Sequence, residues 1–395
     1  VEMKDAYWVN GSAAFDPNGE PVLKGTLKIT GKLEKDYKLT AKIVNGNLGS
    51  GDELAYQWYR YRYGTETEIK GATNATYTLT SVDVGCQLYC IVTCDGFAGS
   101  LISDKTDTVV AGAYIPTIYI AGVQLDKLKA DDVLKDSGVS YTGKISYDPA
   151  TNVLTLDHVT LTETGDKGAI IYSDGEYDGF TINLVGENTL STTVAGKMAI
   201  SCEAVMFTGD GSLYAHADYP KEATIHAPWQ LDIGGNCSIT TTCKEHKEKN
   251  STTSSLSGAL YAGDLNISDN ASLYAYINDA EGDASNSICC AAQVHDVATI
   301  KDNAQVRVEG SRHEGFIVGY LKMEGGSLKV SNIGSLYDSG KTTQKAQYAA
   351  LKVTDINLKN YGITKIPGKL SVSDAKVEVY SKLGYGILEQ ETGGS

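Results

Sequence analysis

The segment Thr181-Ile182-Asn183-Leu184-Val185-Gly186-Glu187-Asn188-Thr189-Leu190 decides the fold of this chain. Apolar and polar residues alternate on either side of a central glycine. A period of two residues is typical of a β-strand with one buried face, and glycine next to polar residues is typical of a tight bend. The segment therefore predicts two short strands joined by a bend.

The same pattern recurs down the chain from about residue 145. We take one inward apolar position as the reference column: Leu190, Leu213, Ile239, Leu273, Val306, Leu328 and Val377. The steps between members are 23, 26, 34, 33, 22 and 49 residues, and the last step is long enough for two turns. Six positions upstream a second strand points inward through Leu184, Phe207, Ile233, Ile267 and Ile300.

Polar residues mark the bend in each unit. They stand three positions before the reference column: Glu187, Asp210, Asn236, Asn270, Asn303, Gly325 and Asp374. Most of these residue types tolerate a left-handed backbone or cap a tight turn. Units of this length cannot bury their apolar face alone, whereas stacked units share one core. The repeat therefore predicts a parallel β-solenoid, with a closed antiparallel barrel or sandwich as the alternative, because period two does not fix strand direction.

An earlier region, residues 22–110, contains about seven short alternating runs separated by turns, which predicts a β-sandwich. Its motifs Tyr56-Gln57-Trp58-Tyr59-Arg60, Asp83-Val84-Gly85 and Tyr89-Cys90-Ile91-Val92-Thr93 resemble the bacterial Ig-like modules of cell-surface proteins. The resemblance implies that Trp58 is the buried tryptophan of the sandwich and that Cys90 takes the position of a pairing cysteine. The partner cysteine is missing from Leu39-Thr40-Ala41-Lys42-Ile43, which puts that disulfide in doubt.

We divide the chain into an N-terminal extension (1–21), the Ig-like β-sandwich (22–110), a linker (111–117), a cap (118–144) and the solenoid (145–390). The cap contains the only weakly helical stretch, Leu125 to Ser137. A solenoid end exposes apolar core and unpaired backbone, so a covering segment is expected there.

The solenoid region resembles the carbohydrate-binding β-helix domains on surface proteins of Gram-positive anaerobes. Its motifs are the run from Ser146 to Leu156, the segment Thr181 to Leu190, and Gly209-Asp210-Gly211-Ser212-Leu213. The resemblance implies a right-handed parallel β-helix and polysaccharide binding at a cell surface. It also implies structural calcium in some relatives, so calcium is possible although no cofactor is required.

The charge and hydropathy of the sequence restrict the classes of partner that the protein can bind. A formal net charge of −15 and only four arginines make the surface repel phosphate backbones, so nucleic acid is excluded as a partner. The sequence has no apolar run of transmembrane length, which excludes membrane insertion by a helix. We expect a monomeric, secreted or surface-exposed bacterial protein from which a leader or upstream segment was removed before Val1.

With the reference column inward, the next residue of each unit points to solvent: Ser191, Tyr214, Thr240, Tyr274, Arg307, Lys329 and Glu378. A second outward column two residues further comprises His216, Thr242, Tyr276, Glu309 and Ser331. Tyr214, His216, Tyr274 and Tyr276 could therefore form one flat patch that stacks on sugar rings. The alternative is that the tyrosines only stiffen the exposed sheet.

A second tyrosine stripe lies in the sandwich region. The parity that buries Trp58 turns Tyr59, Tyr61 and Tyr63 outward on the opposite face. We consider this stripe a second candidate ligand surface. The alternative is packing against residues 1–20 or the solenoid.

Metal and catalytic motifs are weak. The loop Asn278 to Asp283 has three carboxylates but lacks EF-hand spacing, and Cys237, Cys243 and His246 lack a fourth ligand for zinc. Three cysteines precede the linker and five follow it, so some are free, and small buried thiols are the simplest interpretation. The best catalytic cluster is Arg312-His313-Glu314 with Arg307 nearby. We therefore predict a non-catalytic polysaccharide-binding or adhesive surface protein. A lyase or hydrolase and a structural stalk or protein-binding adhesin are the alternatives.

Overall fold

The structure is a computed structural model, and its description covers residues 7–9, 12–15, 20–62, 64–110, 117–125, 131–174, 179–244, 258–278, 290–311, 314–333, 349–355, 367–382 and 385–390. The described residues divide into two compact units, one ending at residue 110 and one beginning at residue 117. Both units consist of β-strands, and the only helical element among the described residues is a short 3-10 turn at Ser81–Asp83. No described helix has the length and apolarity needed to cross a bilayer.

The described residues of the first unit form nine strands, all in antiparallel pairs. They are β1 (Tyr7–Val9), β2 (Ser12–Phe15), β3 (Thr26–Thr30), β4 (Lys38–Val44), β5 (Leu54–Arg62), β6 (Thr65–Glu68), β7 (Thr76–Thr78), β8 (Gln87–Cys94) and β9 (Leu101–Ile102). β1 and β2 form a hairpin, β3-β4-β7 form one sheet, and β6-β5-β8-β9 form another.

The core of the first unit surrounds Trp58, which is fully buried on β5. Leu27 and Leu39 contribute to this core from the three-stranded sheet, and Leu88 contributes to it from the four-stranded sheet. The Trp58 indole N–H donates to the carbonyl of Asn74 over 2.9 Å, so the one polar atom of the ring is satisfied. The predicted burial of Trp58 is confirmed.

In the second unit the part of the chain that the structure describes forms twenty strands. They are β10 (Ile118–Ile120), β11 (Val123–Gln124), β12 (Tyr141–Asp148), β13 (Val153–Leu161), β14 (Ala169–Ser173), β15 (Phe180–Val185), β16 (Glu187–Thr192), β17 (Met198–Ser201), β18 (Ala204–Gly209), β19 (Ser212–Ala217), β20 (Ala223–Ile233), β21 (Ser238–Lys244), β22 (Gly258–Ile267), β23 (Ser272–Asn278), β24 (Cys290–Glu309), β25 (Phe316–Asn332), β26 (Ala349–Thr354), β27 (Lys369–Ser373), β28 (Lys376–Ser381) and β29 (Tyr385–Gln390).

From β13 onward the strands stack as a parallel solenoid with three faces. Each face is a parallel sheet to which every turn of the chain, or rung, adds one strand segment. The tyrosine face comprises β16, β19, β21, β23, residues 305–309 and 327–332, and β28. The second face runs from β15 and β18 to β27, and the third face runs from β14 and β17 to β26 and β29. The alternative of a closed antiparallel barrel or sandwich is wrong.

The beginning of the solenoid has antiparallel strands. β10 pairs antiparallel with β14, and β12 pairs antiparallel with β13. Ile118, Ile120 and Leu134 are buried in the solenoid core. Residues 131–138 form turns, so the described part of the weakly helical stretch is not a helix.

The predicted register is wrong at its first step. Asn188, not Leu190, lies beside Leu213, and Leu190 lies beside Ala215. On the second face Ile182, not Leu184, lies beside Phe207. From Leu213 to Val377 the reference column pairs as predicted, but Val377 follows Leu328 directly, so the 49-residue step adds one rung instead of two.

The bend before the tyrosine face has a left-handed backbone in four successive rungs and again before β28. The residues concerned are Gly209, Gly235, Asp269, Asp302 and Asp374, with φ of 100°, 70°, 59°, 58° and 50°. Except for Asp374, these residues come one position before the polar column. The column itself forms a side-chain ladder: Asn236 donates to Asp210 over 2.7 Å, Asn270 to Asn236 over 2.9 Å, and Asn303 to Asn270 over 3.1 Å.

Candidate functional site

Two outward columns of side chains cross the tyrosine face. The first comprises Thr189, Tyr214, Thr240, Tyr274, Arg307, Lys329 and Glu378, and the second comprises Ser191, His216, Thr242, Tyr276, Glu309, Ser331 and Tyr380. Ser191 therefore belongs to the second column, and its predicted place in the first is wrong because the first rung is shifted by two residues.

The four predicted ring residues form two stacked pairs. Tyr274 stacks on Tyr276 with ring centroids 4.7 Å apart, and Tyr214 stacks on His216 with centroids 6.2 Å apart. The strand of Thr240 and Thr242 separates the pairs. Each pair lies along one strand, so the rings follow the strand direction.

Tyr214 and Tyr276 close the gap over the intervening strand with a side-chain hydrogen bond. Burial, followed by this bond, raises the pKa of Tyr214 to about 12. Thr242, predicted to be an outward residue, is fully buried between His216 and Tyr276. The prediction that Thr242 is exposed is therefore wrong. Its side chain has the outward parity, but the larger side chains of His216 and Tyr276 cover it. The aromatic residues and this threonine form one continuous cluster, the tyrosine patch.

Glu309 fixes one edge of the tyrosine patch. The Tyr274 hydroxyl donates to Glu309 over 2.5 Å, and the guanidinium of Arg307 donates to the same carboxylate with an Nε distance of 2.8 Å. The guanidinium carbon lies 4.7 Å from the Tyr274 ring centroid, which is cation–π geometry. Burial and the Glu309 hydrogen bond raise the pKa of Tyr274 to about 12, so its hydroxyl stays protonated at neutral pH.

Asp218 fixes the other edge. It accepts a hydrogen bond from Nε2 of His216 over 2.7 Å and one from Lys244 over 2.6 Å. Burial raises the pKa of Asp218, but the Lys244 and His216 hydrogen bonds outweigh burial and leave it lowered. The rings are thus held by ionic partners at both edges.

Beside the aromatic rings the tyrosine face contains a shallow groove of about 320 Å³. Its outward side chains are Ser272, Tyr274, Gln305, Arg307, Ser327, Lys329, Lys376 and Glu378. An aromatic ring, hydroxyls, an amide and cations therefore line one open surface. Such a surface offers an apolar plane together with hydrogen-bond donors and acceptors.

The second tyrosine stripe is largely covered by side chains of its own unit. Tyr59 stacks on Tyr89 with centroids 5.0 Å apart, and Nζ of Lys105 lies 3.3 Å from the Tyr61 centroid. Glu66 accepts hydrogen bonds from Tyr89 and Lys105 over 3.0 and 3.1 Å. Tyr63 lies outside the described residues.

The described residues do not form any of the metal or catalytic sites that were considered from the sequence. Among the described residues no group of histidine, cysteine, aspartate or glutamate side chains could hold a metal ion. The seven described cysteines are all buried: Cys86, Cys90, Cys94, Cys202, Cys237, Cys243 and Cys290. Most of the acidic loop, together with His246, Arg312 and His313, lies outside the described residues. Glu314 is buried and paired with Lys352 over 3.0 Å.

The sequence analysis missed a titratable cluster on the third face. His226 bonds Glu222 over 2.7 Å and stacks on Tyr261 at 5.2 Å, and His295 bonds Asp296 over 2.6 Å. Burial lowers the pKa of His226, whereas the Asp296 hydrogen bond raises that of His295. To find this cluster from the sequence, one would need the strand register of the third face, which sets His226 beside Tyr261.

Fold and site together define an all-β protein whose parallel solenoid presents a patch of stacked tyrosines beside a polar groove. No protein-family model, curated protein or solved structure matches the chain.

Proposed function

We propose that this protein binds polysaccharide, without chemical conversion, through the tyrosine face of its solenoid. The observation that supports the proposal is the continuity of the stacked Tyr274–Tyr276 pair with the groove lined by Gln305, Arg307 and Lys329. Sugar rings present C–H faces that stack on aromatic planes, and their hydroxyls need donors and acceptors at the rim. The groove supplies both.

The shape of the surface favours an extended chain over a small ligand. The groove is open and spans successive rungs from Ser272 to Glu378. Adjacent strands lie about 4.8 Å apart, so the rungs repeat along the solenoid on the scale of a sugar unit. A flat surface of this kind binds through several modest contacts along a polymer.

The resemblances seen in the sequence extend the proposal. We propose that the solenoid is a right-handed β-helix and that the first unit is an Ig-like module acting as a spacer or second contact. We also propose that the protein works outside the cell, at a bacterial surface. Calcium, which the resemblance implies for some relatives, is tested by measuring binding with added Ca²⁺ and with a chelator.

The test is a pull-down of the full chain on a panel of insoluble polysaccharides, with a glycan array in parallel. The double variant Tyr274→Ala/Tyr276→Ala should lose about tenfold or more in affinity, because two aromatic contacts of about 0.5–1.5 kcal/mol each are removed and about 1.4 kcal/mol corresponds to tenfold. The matched control is Tyr59→Ala/Tyr61→Ala in the first unit. Unchanged binding by the solenoid variant overturns the proposal, and binding lost only in the control moves the contact to the first unit. Absence of binding by the wild type favours a structural stalk or protein-binding adhesin.

A further inference from the structure

Two polar atoms in the middle of the tyrosine patch are buried and make no hydrogen bond to any described residue. They are Nδ1 of His216 and the hydroxyl oxygen of Thr242. The two residues are paired neighbours in the second outward column, and Thr242 is fully buried. Neither atom bonds the other, so both have lost their contact with water and have no hydrogen-bond partner to replace it.

The second nitrogen of His216 determines what Nδ1 can bind. Nε2 lies 2.7 Å from a carboxylate oxygen of Asp218, and Lys244 contacts the same carboxylate over 2.6 Å. Burial raises the pKa of Asp218, but the hydrogen bonds from Lys244 and His216 outweigh burial and leave the pKa lowered, so this group only accepts at neutral pH. Nε2 therefore carries a proton, and Nδ1 of the neutral imidazole presents a lone pair that requires a donor.

One oxygen atom can reach both unpaired groups. Adjacent strands lie about 4.8 Å apart, and two hydrogen bonds of about 2.8 Å together span more than that distance. The bridging oxygen must donate to Nδ1 of His216, and it can accept from the hydroxyl of Thr242. A hydroxyl group does both, whereas a carboxylate or a sulfate has no proton to donate. The formal net charge of −15 also disfavours an acidic polymer.

We propose that His216 and Thr242 form a buried subsite for one hydroxyl of a neutral sugar unit. This inference rests on the proposed function, because it names the chemical group of the polysaccharide that the tyrosine patch selects. The subsite is separate from the groove beside the patch. The groove begins at Ser272 on β23, whereas Thr242 lies on β21 and His216 lies on β19.

Entry of the hydroxyl requires the Tyr276 side chain to move. Thr242 lies between the larger side chains of His216 and Tyr276, and Tyr276 hydrogen-bonds Tyr214 on the other side of this strand. A buried polar atom without a partner costs more free energy than one typical hydrogen bond contributes. Ligand binding breaks the single bond between Tyr214 and Tyr276 and pairs two buried atoms, so the exchange is favourable.

The test measures thermal unfolding and polysaccharide affinity of Thr242→Val in the full chain, with cellulose, β-mannan and linear xylan as probes. Removal of a buried hydroxyl that has no partner should raise the melting temperature of the free protein. Loss of the subsite should weaken binding of the polymer that the wild type binds by about tenfold. Thr242→Ser keeps the hydroxyl and should bind as the wild type does.

The adjacent residue of the same strand provides a matched control. Thr241 is also fully buried, but its hydroxyl donates to the carbonyl of Ala259 over 2.7 Å. Thr241→Val should therefore lower the melting temperature and leave the affinity for the polymer unchanged. The same substitution at two neighbouring positions is thus expected to change stability in opposite directions, and only one of the two should change binding.

Three results overturn the subsite. A lower melting temperature for Thr242→Val would show that its hydroxyl is paired in the free protein by a trapped water, which is also both donor and acceptor. Unchanged affinity of Thr242→Val, together with weaker binding by Tyr274→Ala/Tyr276→Ala, removes the subsite and leaves the proposed function standing. A wild type that binds none of the three neutral polymers also removes the subsite, and one that binds no polysaccharide at all overturns the proposed function as well.

Discussion

Tyr214 and Tyr276 belong to strands that are not neighbours, yet their side chains share a hydrogen bond over the strand between them. The two side chains together span two strand spacings, or roughly 10 Å. On the strand between them Thr242 is buried, and its hydroxyl makes no hydrogen bond to any described residue. The tyrosine patch is thus preorganised before any ligand arrives.

The hydrogen bond predicts an energetic coupling between the two tyrosines. In a cycle of Tyr214→Phe, Tyr276→Phe and the double variant, we expect a coupling of about 0.5–1.5 kcal/mol in the free energy of unfolding. Hydrogen exchange of amides in β19, β21 and β23 measures it locally. The matched pair Tyr214→Phe and Tyr172→Phe, on different faces, should be additive. A coupling near zero in the first cycle contradicts the contact.

The pH response of the patch edge follows from Glu309. Burial raises the pKa of this carboxyl, but hydrogen bonds from Tyr274 and Arg307 outweigh burial and leave it below its ordinary value of 4.5. A carboxyl with a lowered folded pKa stabilises the fold above its unfolded pKa and loses that contribution as pH falls through the folded pKa. The stability difference between wild type and Glu309→Gln should therefore be constant near neutrality and shrink below about pH 4.5. Thermal unfolding across a pH series measures it, and a difference independent of pH refutes the assignment.

Gly209 should be intolerant of any side chain. Its φ is +100°, and a Cβ there would lie 2.3 Å from the carbonyl oxygen of Leu184. We expect Gly209→Ala to destabilise the solenoid by at least about 3 kcal/mol, from strain and from the clash with backbone. Gly168→Ala is the control, because its φ is +90° but no described atom lies within 4 Å of the added carbon. The control should lose only about 1–2 kcal/mol, and equal losses would show that the clash relaxes.

The buried thiols should be inert in the folded protein. Burial raises the pKa of Cys90 and of Cys237 to about 11 and shifts that of Cys202 upward as well. Thiolate is the reactive form, so alkylation at neutral pH should modify none of the seven described cysteines until the chain unfolds. Mass spectrometry after native and denatured labelling identifies the sites. Rapid native labelling of Cys202 or Cys237 disproves this burial.

Side-chain parity could be predicted from the sequence, and so could the register from Leu213 to Val377, but not the register of the first step, from Leu190 to Leu213. A shift of one residue would move the apolar side chains of a strand from the core to the solvent face, so the alternation in β19 and β23 allows only one parity. A shift of two residues preserves the parity, so the alternation alone does not exclude the wrong partner for Leu190, which lies beside Ala215 and not beside Leu213. The register is set by the backbone bends at Gly186 and Gly209, which both have a positive φ. The alternation of apolar and polar residues is compatible with more than one position for these bends.

Burial inside an outward column was also beyond the sequence. Thr242 has the parity of an exposed residue, but it is buried between the larger side chains of His216 and Tyr276 on the neighbouring strands. The same limit applies to the first unit. Tyr59 and Tyr61 alternate as outward residues should, but Tyr89 stacks on Tyr59 and Lys105 lies over Tyr61, and both covering residues come from later in the sequence. Contacts of this range depend on side-chain length and not on period.

The left-handed bends and the ladder from Asp210 to Asn303 make each rung interchangeable with its neighbours. Insertion or loss of a whole rung between two bends leaves the backbone of each remaining strand with an equivalent neighbouring strand. The solenoid can therefore lengthen or shorten in whole turns during evolution, and the spacing of its aromatic residues can change in fixed increments without redesign of the core.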